Sequence, residues 1–97
     1  MLSKDLYTID FVSENRAIIT LSDETHSVFK AHFPAYPILP GFMNFDIVEE
    51  LFDIKITTIK KAKFLKTVTP NQTLIYERNR SIFKVFCEDE VVASFSL

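Results

Sequence analysis

His32, Gly41 and Asp46 lie within one short stretch and are the residue types that handle protons and a carbonyl oxygen. An imidazole, with an ordinary pKa of ~6.5, is mostly neutral near pH 7 and ready to accept a proton. A carboxyl group gives a proton when neutral and orients a hydroxyl or a water when ionised. Gly41 follows Pro40 at an apparent helix start, where amide N–H groups lack intrahelical acceptors. With the helix dipole, such amides favour an oxygen that gains negative charge, and glycine lets a substrate approach the backbone closely. A base, an acid and an oxyanion site could thus converge on one small molecule.

The elements that must position these groups follow from local pattern. Residues 32–41 hold Pro34, Pro37 and Pro40, three of the four prolines, together with the only glycine. Proline fixes φ and pushes its predecessor into extended geometry, so this backbone is stiff and irregular. Residues 41–53 read as a helix with a broad apolar arc of Met43, Phe45, Ile47, Val48, Leu51 and Phe52, and Asn44 falls inside it. Asp46, Glu49, Glu50 and Asp53 gather on the other side with Phe42. Residues 6–12 and 17–21 alternate as strands about a turn at Ser13–Asn15, and 22–31 are mixed. From Ile54 onward the pattern is strand, over 58–68, 73–79, 81–87 and 91–97. One apolar helix and a run of antiparallel strands predict a single α+β domain over 1–97, its sheet folded around the helix.

On spacing alone each residue also has a plainer role. His32 beside Phe33-Pro34 reads as a loop or core residue, Asp46 as part of a solvated acidic stripe, and Gly41 as the end of a turn. His26 reads as a surface loop residue and Cys87 as a small strand hydrophobe. Composition narrows the classes. A net charge of −2 speaks against nucleic acid as partner. Two histidines and one cysteine without ligand spacing predict no metal site. The absence of a long apolar run predicts no membrane insertion, and the lone cysteine and unremarkable N-terminus make the cytoplasm the expected location. Ten phenylalanines among 97 residues exceed what a small monomer easily hides, which favours a dimer.

The run His32-Phe33-Pro34, then Pro37-Ile38-Leu39-Pro40-Gly41, then Asp46, resembles the signature of the 3-hydroxyacyl-acyl-carrier-protein dehydratases of the hotdog superfamily. In that family an acidic residue on the central helix follows the loop histidine by fourteen positions, Glu in the FabZ type and Asp in the FabA type. Phe64-Leu65-Lys66-Thr67-Val68-Thr69-Pro70 is similar to the family's Phe-x-x-x-Val-x-Pro strand. Departures are Ala35 for the usual glycine, Asn71-Gln72 for Gly-Asp, a late start without the N-terminal helical lead, and a helix that passes early into strand near Ile54.

The resemblance implies a hotdog fold in a double-hotdog homodimer, with larger oligomers of dimers left open. It implies dehydration of a 3-hydroxyacyl thioester, carried by acyl carrier protein, to the trans-2-enoyl thioester in fatty-acid, polyene or polyketide-type synthesis. No cofactor is implied. His32 would be the base, Asp46 of the partner subunit the acid or orienting group, and the Gly41 amide the oxyanion donor. Phe33, Tyr36, Ile38, Leu39, Pro40, Phe42 and Phe45 would bind the acyl chain. Lys55, Lys60, Lys61, Lys63 and Lys66 form a basic run that would suit an acidic carrier or simply be solvated. A non-catalytic acyl-binding or dimerisation module, or a thioesterase, are the alternatives.

Overall fold

Strand alternation sorts side chains to two faces, and the sheet follows from it. In β2 (Arg16–Leu21) Ala17, Ile19 and Leu21 are buried while Arg16 is exposed. The same alternation buries Leu74 and Tyr76 of β4 (Thr73–Asn79), and Phe83, Val85 and Cys87 of β5 (Ile82–Cys87). With β1 (Tyr7–Val12), β3 (Lys61–Phe64) and β6 (Glu90–Ser96) they form one six-stranded antiparallel sheet in the order β1-β2-β4-β5-β6-β3. This computed structural model describes residues 5–31 and 35–97, so His32, Phe33 and Pro34 lie outside the described residues.

The inner face of the sheet packs on the long helix α2 (Met43–Phe52), after the short helix α1 (Ser27–Ala31). Met43, Ile47, Val48 and Leu51 of α2 join Ile19, Leu74, Tyr76, Phe83, Val85 and Phe95 in one buried cluster. Phe95 stacks on Phe83 at 5.4 Å and meets Phe45 edge-on at 5.0 Å. Cys87 is buried here too, and burial raises its thiol pKa further above the already protonated range. Native protein at pH 7.5 should therefore resist a thiol reagent such as iodoacetamide until denaturant exposes Cys87. Stoichiometric labelling within minutes would show that β5 opens readily.

Tight hairpins join the last three strands, between the ranges that the sequence pattern marks as strand. Cys87 pairs with Glu90 across Glu88 and Asp89, both at positive φ (52° and 65°), the backbone of a type I′ turn. Every positive-φ residue described is non-glycine, and Gly41 is not among them. The only glycine is therefore not there to adopt a left-handed conformation.

Three stretches differ from the sequence expectation. Residues 22–31 are not merely irregular but contain α1, which buries Val28 and Phe29. His26, expected as a surface loop residue, starts this helix by accepting the Val28 N–H on Nδ1 at 3.0 Å. The chain after Ile54 does not enter the sheet at once. Asp53 adopts the left-handed conformation (φ 52°, ψ 50°), and the Glu49 carbonyl accepts the N–H groups of Asp53 and Ile54. The Glu49 carboxylate then accepts the Ile56 N–H at 2.7 Å, drawing residues 54–56 back along the helix. Finally, the strand expected over 58–68 is only Lys61–Phe64. Leu65 and Lys66 both donate to the Val92 carbonyl, so the register breaks and the chain leaves the sheet.

Candidate active site

The start of α2 is a tight turn built by residues 39–45. The carbonyls of Pro40, Gly41 and Phe42 accept the N–H groups of Met43, Asn44 and Phe45 at 3.0, 3.1 and 3.2 Å. Each peptide is planar, so a carbonyl drawn along the helix turns the amide N–H across the same bond away from it. The Pro40 carbonyl thereby aims the Gly41 N–H out of the helix end. That N–H finds no acceptor among the described residues. Just before it, the Leu39 N–H is held by the Val68 carbonyl at 2.7 Å, which ties the proline-rich segment to the chain leaving β3.

Between these segments lies an open cleft of about 350 Å³. Ile38, Leu39, Pro40 and Gly41 form one wall, and Phe64, Leu65, Lys66, Thr67 and Val68 the other. Val92, Ala93 and Asn44 complete the lining. The lining is mostly apolar, as a small-molecule site is, and Gly41 in its helix-side wall carries an amide without an acceptor among the described residues. Phe64 lies so close over Gly41 that a Cβ there would sit 3.0 Å from its ring. Phe45 supports that ring edge-on at 6.1 Å between centroids.

Asn44 is the one buried polar residue among the described residues, 5% exposed. Its side-chain amide donates to the Gly41 carbonyl at 3.1 Å, and its Oδ1 accepts from the Tyr76 hydroxyl at 2.6 Å. Tyr76 is fully buried, and burial keeps its phenol protonated well beyond the usual range.

The acidic side of α2 is not one solvated stripe. Glu49 holds the Ile56 N–H, and Glu50 accepts the Tyr7 hydroxyl, tying β1 to the helix. Burial first, and Glu50 second, push the Tyr7 phenol up, so it remains a donor. Asp53 forms the left-handed end of the helix. Asp46 differs from all three: it is half-buried in the first turn and its carboxylate has no hydrogen-bond or ion-pair partner among the described residues.

Of the residues singled out from sequence, Ile38, Leu39, Pro40 and Gly41 come together in the cleft. Phe45 sits behind Phe64, and Tyr36 and Phe42 are 80% and 50% exposed, outside the cleft lining of a single chain. His32 and Phe33 fall outside the described residues. Asn44, Tyr76, Val92 and Ala93 are not distinguished by the spacing argument. The one sequence signal among them is an asparagine inside the apolar arc of a helix. No group of three or more His, Cys, Asp or Glu among the described residues could hold a metal ion, and no helix there is long and apolar enough to cross a membrane.

Comparison with known proteins bears on family and fold. The profile of the ApeI-like family, described as ApeI dehydratase, matches residues 10–96. A 3-hydroxyacyl-(acyl-carrier-protein) dehydratase, FabZ, of Fusobacterium nucleatum is 33% identical over 80% of this chain and 67% of its own. Among solved structures, the dehydratase heterocomplex ApeI:P from Xenorhabdus doucetiae superposes with a TM-score of 0.66 at 23% identity, covering 91% of this chain and 89% of that one. The PaaI protein from the phenylacetic acid degradation operon of E. coli superposes with a TM-score of 0.60 at 15% identity, covering 97% and 82%. The fold they share is the hotdog: an antiparallel sheet around one helix.

Proposed function

The chain belongs to the ApeI-like dehydratase family, and from that footing we propose that it removes water from a 3-hydroxyacyl thioester to give the trans-2-enoyl thioester. The observation that carries this reading is the start of α2. There Gly41, whose amide has no acceptor among the described residues, lines an apolar cleft, and Asp46 stands one turn along with no hydrogen-bond or ion-pair partner among those residues.

In this reading the thioester carbonyl accepts the Gly41 N–H, which stabilises enolate character as the α-proton leaves. His32, from the proline-rich segment, takes that proton. Asp46 assists the departing hydroxyl, as a general acid when protonated or by orienting it when ionised, with His32 then making both transfers. The acyl chain lies along Ile38, Leu39 and the apolar wall after β3. Acyl carrier protein would deliver the thioester in fatty-acid, polyene or polyketide-type synthesis, and the cytoplasm is the compartment this chemistry would occupy.

Two copies would join edge to edge through β3, pairing His32 of one protomer with Asp46 of the other. β3 is an edge strand whose residues are all exposed. Ile59, Phe64 and Leu65, at 43%, 48% and 57% exposure, form an apolar patch on and beside it.

Incubation with 3-hydroxybutyryl and crotonyl thioesters tests the reaction. Interconversion seen by enoyl absorbance is expected. Release of free thiol would instead mean thioesterase chemistry, and saturable binding without turnover would mean an acyl-binding module.

A further inference from the structure

We propose that Asn44 and Tyr76 are positioning residues: the Asn44 side chain, oriented by the Tyr76 hydroxyl, locks the Gly41 carbonyl and so preorganises the turn that carries the Gly41 amide. The proposal rests on the dehydratase reading above and adds to it the groups that hold the oxyanion donor still.

The direction of each hydrogen bond follows from chemistry. The Gly41 carbonyl can only accept, so the Asn44 atom 3.1 Å away must be Nδ2. Oδ1 then faces Tyr76, whose hydroxyl must donate across 2.6 Å. The phenol's deep burial favours its protonated form, so the hydroxyl remains the donor of this pair. Gly41 therefore accepts two bonds from one residue, from the Asn44 main-chain N–H and from its side-chain amide, both at 3.1 Å. Together they hold the Gly41–Phe42 peptide plane and so restrain ψ of Gly41, while the Pro40 carbonyl, held by the Met43 N–H, orients the preceding peptide that carries the Gly41 N–H.

That restraint matters because glycine is the residue freest to rotate about φ and ψ. An amide that wanders loses most of its worth as an oxyanion donor, since the benefit comes from dipoles already aimed before the charge develops. Three contacts hold this glycine: the Phe64 ring over its Cα, the Leu39 N–H to Val68 just before it, and Asn44 on its carbonyl. Only the last acts on the peptide that follows Gly41. For stability alone, a leucine facing a phenylalanine would fill this place as well as a hydrogen-bonded polar pair. The polar pair instead links the deepest tyrosine of the core to the backbone of the cleft wall, and Asn44 itself lines that cleft.

The single glycine makes the proposal directly measurable. Tag-free protein labelled with isotopic glycine gives one amide signal, that of Gly41. In Asn44→Leu this signal should broaden or split, and kcat on the enoyl or 3-hydroxyacyl thioester should fall ~10–100-fold with KM changed less than about threefold. Tyr76→Phe should do the same more weakly, about 3–10-fold in kcat. The double variant Asn44→Leu with Tyr76→Phe leaves no buried group unpaired on Tyr76, so it should regain the Tm lost by Asn44→Leu while kcat stays low. A glycine signal of unchanged position and width with kcat within about twofold of wild type would overturn the proposal. So would a double variant that recovers kcat together with Tm. If Asn44→Leu does not fold, Tyr76→Phe and the double variant decide by the same criteria. Wild-type protein that turns over no thioester, while its glycine signal still broadens in Asn44→Leu, would overturn the dehydratase reading and uphold the positioning of Gly41.

Discussion

Mixing inactive His32→Ala protein with inactive Asp46→Asn protein should restore about a quarter of wild-type activity. Each variant alone is expected to lose ~10²–10⁴-fold, the usual worth of a positioned acid or base. If each site takes His32 from one protomer and Asp46 from the other, a heterodimer of the two variants holds one intact site and one doubly damaged site. Random exchange makes half of the dimers heterodimers, and half of their sites are intact, hence about a quarter. Exchange by co-refolding, followed by the thioester assay, provides the measurement. No recovery would mean that sites are not shared between protomers, and near-normal activity of Asp46→Asn would remove Asp46 from the chemistry.

The structure supplies the control for that experiment. Asp46 makes no hydrogen bond or ion pair with the described residues, so Asp46→Asn should leave Tm within a degree or two of wild type. Glu50→Gln weakens the tie to Tyr7 and is the better candidate for a stability loss without a loss of kcat. Two acidic residues one turn apart on the same helix would thus separate, one touching turnover and the other touching the fold.

Gly41→Ala should lower kcat/KM by about 10²-fold, the second large effect. The physical cause is space, because Gly41 has no positive φ and alanine could adopt its backbone without strain. The added methyl would stand 3.0 Å from Cδ1 and Cε1 of Phe64 and 3.1 Å from Cγ. The ring must shift, and it is free to do so on its exposed side, since Phe64 is 48% exposed. Stability should therefore fall little, whereas the cleft wall and the amide beside it move relative to each other. Trimming the ring in a Gly41→Ala, Phe64→Leu double variant should recover part of the activity. A Gly41→Ala protein with unchanged kcat/KM would show that the Gly41 amide holds no reacting oxygen.

Several features were legible before any coordinates. Alternation in Ala17, Ile19 and Leu21, and in Phe83, Val85 and Cys87, marks strands with one buried face, and that face is buried. The strand pattern breaks near Asn79-Arg80 and at Glu88-Asp89-Glu90, and the chain turns there. Proline up to position 40 and none from 41 to 53 mark the start of α2. Less was legible where apolar pattern continues but pairing stops. Residues 54–56 and 65–68 have strand composition, yet Glu49 draws one segment back to the helix and the Val92 carbonyl ends the register of the other.

By itself, then, the sequence determined the α+β order of elements, the stiff proline-rich approach to a helix, and the presence of an imidazole, a carboxyl group and a glycine at suggestive spacing. Periodicity and backbone restriction are properties of near neighbours, so they can be read along one line of residues. Only the tertiary structure decided which helix acids are engaged among the described residues: Glu49 by Ile56 and Glu50 by Tyr7, the latter 43 positions away. It alone set Phe64 over Gly41 and Tyr76 against Asn44, 32 positions apart. Such pairings depend on where a distant strand passes, and no local pattern encodes that.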